Sequence, residues 1–275
     1  MLITKLLKLE KQMINFISTQ ENKTKNKLKD KLVKKGIIRA ITIVDSDSFL
    51  IELKNNLKIY CRSLEHSDYL VFNQIFGDGE YEIIRDILKF NKEEQPVIID
   101  AGANVGYTSV FFLSEFKKAK LYAVEPSLTN YQTIEKNIFH NGFDGSRIKL
   151  YNKALHNQDG LNVVIENEFR DKKDWAFTTK ITTEESAVKS ITVQHIMKEN
   201  MLDIVDFLKI DIEGAERFIF ESQDSCAFLE KVKIIAIEIH DEFNVRTTIE
   251  TILKSYGFIL FPSGELTIGM NRNYF

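Results

Sequence analysis

Five short apolar runs constrain the fold more than any other feature: 97–100 (VIID), 120–125 (KLYAVE), 148–152 (IKLYN), 205–211 (VDFLKID) and 233–240 (KIIAIEIH). Most lack the strict alternation of a half-exposed strand, the pattern expected of parallel strands covered on both faces. The segments 108–118, 128–142 and 215–231 between them are long enough for crossover helices. This part of the chain therefore reads as an open α/β sheet. After a helical stretch at 247–257, the runs 257–262 and 265–270 can pair as a terminal antiparallel hairpin, because Pro262, Ser263 and Gly264 supply the turn.

In an open α/β sheet the ligand lies beyond the carboxyl ends of the strands. The first strand delivers Asp100-Ala101-Gly102-Ala103-Asn104-Val105-Gly106 to that edge. Gly102 and Gly106 are expected to let the backbone pass close to a bound molecule, and Asn104 to bond the turn or the ligand. A dinucleotide site would require G-x-G-x-x-G; here Asn104 replaces the middle glycine and Ser109 stands where the third would be. Glu125 ends the second strand nineteen residues after Gly106, the place from which a carboxylate accepts both hydroxyls of a ribose. Asp100 is open to two roles, contact with a ligand ammonium or water and structural acceptor for the turn.

The N-terminal third is organised differently. Residues 1–35 hold ten lysines against Glu10, Glu21 and Asp30, so a chain of net charge −3 carries −10 in residues 36–275. Apolar residues at spacings of three and four over 2–18 suggest a basic amphipathic helix, suited to a peripheral membrane or partner contact. Residues 36–95 read as a small β meander followed by a helix that Pro96 stops, giving expected divisions of 1–35, 36–95 and 96–275. Cys61 and Cys226 are too isolated for a disulfide or zinc framework. With no apolar run of bilayer length and no secretory cleavage pattern, the expected location is cytoplasmic, with the leader allowing a membrane-peripheral one.

The motifs VIIDAGANVGYTSVFF, YAVEPSLTNYQTIEKNI, NKALHNQDG and DFLKIDIEGAERFIF, in this order and at these separations, resemble the FkbM family of S-adenosylmethionine-dependent methyltransferases. The resemblance spans 96 to about 240, reaches weakly into FGDGEYEIIRDIL, and leaves the basic leader uncovered. It implies a class I methyltransferase fold, Rossmann-like with a mostly parallel seven-stranded sheet, and methyl transfer usually to oxygen. It further implies cofactor contacts from Asp100, Gly102, Asn104 and Gly106 around the methionine portion, from Glu125 on the ribose, and from Ala154 and Leu155 on the adenine.

Methyl transfer to an alcohol is an in-line displacement at a sulfonium, so the acceptor must be aligned and its proton removed. Asp211 ends the fourth strand at the ligand edge, where it can contact the cofactor, orient the acceptor hydroxyl or take its proton. Glu213 is a candidate acceptor contact, although it and Glu216 equally suit a helix N-terminus. Lys209 shares a strand face with Asp211, so an internal ion pair is expected. Glu238 and His240 share a face at the end of the fifth strand, and His240 is the candidate general base, oriented by Asp211 or Glu238. The same four residues, Asp211, Glu213, Glu238 and His240, could instead ligate Mg²⁺ or Mn²⁺; the expectation is no metal. Trp175 and Phe177, in the insertion between the third and fourth strands, suit stacking on a sugar face.

The sequence thus points to an O-methyltransferase acting on a hydroxyl of a sugar or glycan precursor, a small-molecule or glycan partner rather than nucleic acid. The rivals are a nicotinamide-nucleotide oxidoreductase and a nucleic-acid methyltransferase that uses the lysine-rich leader as an electrostatic arm. Against the latter, the body is acidic and its basic residues are not interleaved with aromatics.

Overall fold

The computed structural model describes residues 25–32, 35–45, 48–166, 178–182 and 187–275. The amphipathic stretch at 2–18, Trp175 and Phe177 lie outside the described residues. The chain forms two compact units, Met1–Asp78 and Gly79–Phe275. The expected break near residue 95 falls instead between Asp78 and Gly79, because the helix before Pro96 belongs with the second unit. No helix among the described residues is long and apolar enough to cross a membrane.

The first unit contains a short helix α1 (25–31) and the expected meander, β1 (Ile38–Asp45), β2 (Ser48–Leu53) and β3 (Lys58–Arg62), paired antiparallel in chain order. Helix α2 (Asp68–Phe72) follows and widens into a π-helical turn at Asn73–Asp78. Asp68, fully buried, ties helix to sheet by accepting from Arg62 N at 2.8 Å and pairing with Arg62 Nη2 at 2.7 Å. Burying that carboxylate is tolerable because both of its oxygens are occupied.

The second unit begins with α3 (Glu82–Phe90) and continues through β4 (Val97–Ala101), α4 (Tyr107–Glu115), β5 (Lys120–Val124), α5 (Leu128–Asn141) and β6 (Ile148–Tyr151). Then come β7 (Ala154–Leu155), β8 (Asn162–Glu166), β9 (Thr178–Ile181), β10 (Val188–Ile191), α6 (Val193–Glu199), β11 (Val205–Ile210) and α7 (Glu216–Ile219). The chain ends with β12 (Val232–Glu238), α8 (Arg246–Ser255), β13 (Phe258–Ser263) and β14 (Leu266–Asn271). Seven strands form one sheet in the order β13-β14-β12-β11-β4-β5-β6. The five from β12 to β6 are parallel, whereas β14 and β13 run antiparallel as the expected hairpin.

This order decides where a ligand can go. From β4 the chain moves outward through β5 and β6, then returns to the other side of β4 as β11 and β12. The reversal opens a crevice beyond the carboxyl ends of β4 and β11. All six residues of β11 are buried, as befits a strand in the middle of a sheet. The insertion between β6 and β11 builds its own four-stranded sheet, β7-β10-β8-β9.

One face of the parallel sheet packs aromatic side chains. Tyr81, just before α3, lies 6.1 Å from the Phe112 ring of α4 and 6.3 Å from Phe207 of β11, with Phe112 and Phe207 themselves 5.0 Å apart. At the amino end of β11, Asp206 accepts from Val97 N at 2.7 Å and pairs with Lys233 at 2.8 Å, so one carboxylate pins the starts of β4, β11 and β12. Asp206→Ala is expected to lower stability by about 1–3 kcal/mol, the usual cost of stranding a buried amide donor. Urea denaturation of the two proteins measures it.

Candidate active site

The turn after β4 is shaped by the protein's own backbone. Gly102, at φ +76°, has Gly102 N and Ala103 N donating to Val124 O, both at 3.0 Å. A Cβ on Gly102 would lie 1.7 Å from the Asp211 carbonyl oxygen. Gly106, at φ +81°, caps α4, and a Cβ there would meet Ile134 of α5 at 3.0 Å. The expectation that both glycines clear space for a ligand is thus corrected: Gly102 admits the end of β11 and Gly106 admits a helix.

Asn104 adopts φ +50°, a left-handed conformation that asparagine tolerates better than most residues. Its amide donates to Glu125 Oε2 at 2.8 Å, while its side-chain oxygen is buried without a hydrogen-bond partner among the described residues. Glu125, at the tip of β5, also accepts from Ser127 N at 2.9 Å, so its carboxylate joins the first turn to the start of α5. Burial raises its pKa to about 7 against the lowering effect of those two amides and Asn130.

Behind the turn lies a buried charge cluster. Lys209 Nζ donates to Gly102 O at 2.7 Å and pairs with Asp211 at 3.2 Å and Asp100 at 3.5 Å. Burial would lower the Lys209 pKa, yet Asp211 and Asp100 overcome that and hold it above the usual lysine range. Asp100 Oδ2 also accepts from Ser109 Oγ of α4 at 2.6 Å, and Oδ1 has no hydrogen bond among the described residues. The Lys209–Asp211 pair expected from strand alternation is present, and the pair extends to Asp100.

The turn after β11 gathers the remaining acids. Glu213 lies at φ +54° and Gly214 at φ +88°, with Phe243 occupying the space a Gly214 side chain would need. Glu216 opens α7 and is fully buried: Oε1 accepts from Ile212 N at 3.0 Å and Oε2 lies 3.3 Å from His240 Nδ1. His240 Nε2 lies 3.2 Å from Glu213 and 3.6 Å from Glu238.

These contacts correct the expected role of His240. Burial alone would lower its pKa, but the hydrogen bonds to Glu213 and Glu216 push it up to about 11. Both ring nitrogens face carboxylates, which favours the protonated ring and counts against the general-base role expected for it. Glu238 beside it is raised to about 9 by burial and the charge of Asp211, against the lowering effect of His240.

Ala154 and Leu155, the adenine contacts implied by the resemblance, form β7, paired with Ser190 and Ile191, and Leu155 belongs to the hydrophobic core. The loop that follows β6 is made by Asn152, whose side-chain amide donates to the carbonyls of Glu125 and Pro126 at 3.0 and 2.9 Å. Among the described residues no group of three or more His, Cys, Asp or Glu is arranged to hold a metal ion.

Two members of the site carry little sequence signal. Glu80 and Tyr81 come before β4 in the chain, yet the charges of Asp211, Lys209 and Glu265 all act on the Glu80 carboxylate. Glu80 is raised to about 7, chiefly by burial and then by Asp211. Burial and these neighbouring carboxylates hold the Tyr81 hydroxyl well above the ordinary tyrosine range, so it remains a donor.

Residues 100–260 match the description "Methyltransferase FkbM domain", and the match covers the glycine turn, Glu125, the β11 acids and His240. The chain belongs to the FkbM methyltransferase family. Methyltransferase sdnD of Sordaria araneosa is 25% identical over 216 residues, covering 68% of this chain and 81% of that protein. Methyltransferase 1 of Beauveria bassiana is 21% identical over 231 residues, covering 76% and 88%. The crystal structure of an FkbM methyltransferase from Methylobacillus flagellatus KT superposes with a TM-score of 0.42 and 16% identity, over 64% of this chain and 44% of that one.

The raised carboxylates of this FkbM domain carry a stability consequence. Glu80, Glu125, Glu238 and His240 all keep protons in the folded state that the unfolded chain has released, so stability falls as pH rises from about 5 towards 9. The ligand-free melting temperature should therefore decline across that range. Glu238→Gln, which removes one contributor, should flatten the decline, as differential scanning calorimetry at several pH values would register.

Proposed function

We propose that this FkbM-family protein is an S-adenosylmethionine-dependent O-methyltransferase acting on a hydroxyl of a sugar or glycan precursor. Family membership over residues 100–260 is the observation that carries the methyl-transfer half of this reading. The unmet acceptors of the crevice support the cofactor. Among the described residues Asp100 Oδ1 and Asn104 Oδ1 are buried oxygens without hydrogen bonds, suited to the donors of an amino-acid ammonium. Glu125 accepts one amide on each oxygen and keeps lone pairs for a ribose diol. When bound, the cofactor supplies a methyl group on a positively charged sulfur.

The chain's own residues then have separable tasks. Glu125 fixes the ribose and Asp100 and Asn104 the amino-acid end, while Lys209 pairs with Asp100 and Asp211 at the crevice floor. Asp211 and Glu213 orient acceptor hydroxyls, to which carboxylate oxygens are good acceptors. The imidazolium of His240 holds Glu213 and Glu216 in register, a positioning role. An edge rich in carboxylate oxygens favours a polyhydroxylated acceptor over an anionic one.

Calorimetric titration with S-adenosylhomocysteine, with and without EDTA, tests the cofactor half. Saturable binding insensitive to EDTA is expected, and absence of binding at millimolar ligand would sink the proposal. Glu125→Gln should weaken that binding about tenfold or more, the cost of one charge-assisted hydrogen bond to the ribose. His240→Gln should leave the affinity for S-adenosylhomocysteine within a few fold and lower the melting temperature, since it leaves buried Glu216 without its counter-charge.

A further inference from the structure

The methyl-transfer reading leaves open what the acceptor carries besides the hydroxyl that is methylated. We propose that Arg217 binds an oxyanion borne by the acceptor, a phosphate or a carboxylate, with His156 as a second hydrogen-bond donor. The inference rests on the reading above and narrows its acceptor to a phosphorylated or acidic sugar.

The other cations around the carboxyl ends of β11 and β12 are committed. Lys209 pairs with Asp211 and Asp100, and His240 faces Glu213 and Glu216. Arg246 grips Asp241 through two nitrogens at 2.7 and 2.8 Å. Arg217, the second residue of α7, makes no hydrogen bond or ion pair among the described residues, and its Nη1 is buried without a partner. The adjacent Glu216 is already divided between Ile212 N and His240. At an edge with surplus carboxylate, a cation left out of every ion pair is available to a ligand.

Two phenyl rings hold the Arg217 side chain in place. Its Cζ lies 3.9 Å from the centroid of Phe243 and 4.6 Å from that of Phe218. Contact with ring faces leaves the in-plane N–H fork free, and that fork matches a carboxylate or phosphate. Phe243 also fills the space that a side chain on Gly214 would need, so Arg217 is fixed beside the turn that carries Glu213. A second unmet group lies against Phe218: the His156 ring stacks on it with centroids 5.2 Å apart and planes at 19°. His156 is 6% exposed, and neither ring nitrogen has a hydrogen-bond partner among the described residues. A buried polar ring of this kind is costly unless a ligand or water meets it. Burial lowers its pKa, so at neutral pH it is an uncharged ring with one N–H to donate. Sugar hydroxyls and an oxyanion then find separate hosts, the former at Asp211 and Glu213 and the latter at Arg217.

The test requires no known acceptor. The full chain is saturated with S-adenosylhomocysteine at neutral pH, and its melting temperature is followed as inorganic phosphate or acetate replaces chloride at constant ionic strength. At least one of the two ions should stabilise the wild type saturably, with half the effect at roughly millimolar concentration. Arg217→Gln should raise that concentration about tenfold or more, the loss of a charge-assisted fork, while binding S-adenosylhomocysteine within about threefold of wild type. Arg217→Lys keeps the charge without the fork and should fall between the two; it decides alone if the glutamine variant does not fold. His156→Phe keeps the stack on Phe218 and removes both nitrogens, and should weaken the ion about threefold. A stronger response to phosphate marks a phosphorylated acceptor and a stronger response to acetate a sugar acid; either upholds the site. No saturable response in the wild type, or one that Arg217→Gln and Arg217→Lys share in full, overturns the proposal, since general salt effects act on all three proteins alike. An unchanged response in His156→Phe overturns the part given to His156. Failure of the wild type to bind S-adenosylhomocysteine instead overturns the methyltransferase reading itself.

Discussion

A single buried ammonium organises the crevice. Lys209 reaches from β11 across to the carbonyl of Gly102 and stands between Asp100 and Asp211, so the two strands that flank the switch point share one cation. Two carboxylates this close would repel each other without it, and an unpaired lysine at this depth would give up its proton. The close approach of Gly102 to the Asp211 carbonyl follows from the same contact. The site is therefore electrostatically prepared before any ligand enters, and its polar groups need little rearrangement to meet one.

Around that centre the charges divide into two circuits. Lys209 serves the β4–β11 junction, while His240 serves the acids of the turn into α7. Both cations are buried and both are surrounded by more negative charge than they neutralise. Burial first, and that surplus second, makes Glu80 and Glu238 hold their protons to higher pH than an exposed glutamate. An arrangement with excess carboxylate favours a visitor that brings positive charge or hydrogen-bond donors.

Much of this was legible in the sequence, and the reasons are local. Apolar runs without alternation fixed β4, β5, β11 and β12 because buried parallel strands have no solvent face to mark. The order DAGANVG followed by an acid nineteen residues on located Glu125, since turn and strand tip are neighbours in any sheet of this topology. The Lys209–Asp211 pair followed from strand alternation alone. What the sequence left hidden depends on long-range packing. The clearance at Gly102 is set by a strand 109 positions later, and the charge state of His240 by Glu213 and Glu216 arriving from the preceding turn. Glu80 is an ordinary acid in an ordinary turn until Tyr81 is seen locked between Phe112 and Phe207. The strand of Ala154 and Leu155 left no trace because a two-residue strand has no periodicity to detect.

The insertion between β6 and β11 offers a different lesson. Its four strands pair only with one another, β7 with β10, β10 with β8 and β8 with β9, and contribute no rung to the seven-stranded ladder. Parent sheet and insert are thus separately hydrogen-bonded, joined by chain continuity and by side chains such as Leu155 and Ile191 in the common core. Such an insert behaves as a graft: its edge strand β9 can lengthen, shorten or change its side chains without loosening the junction held by Lys209. Variation in the insert and preservation of the Lys209 junction are, in this architecture, borne by different hydrogen-bond networks.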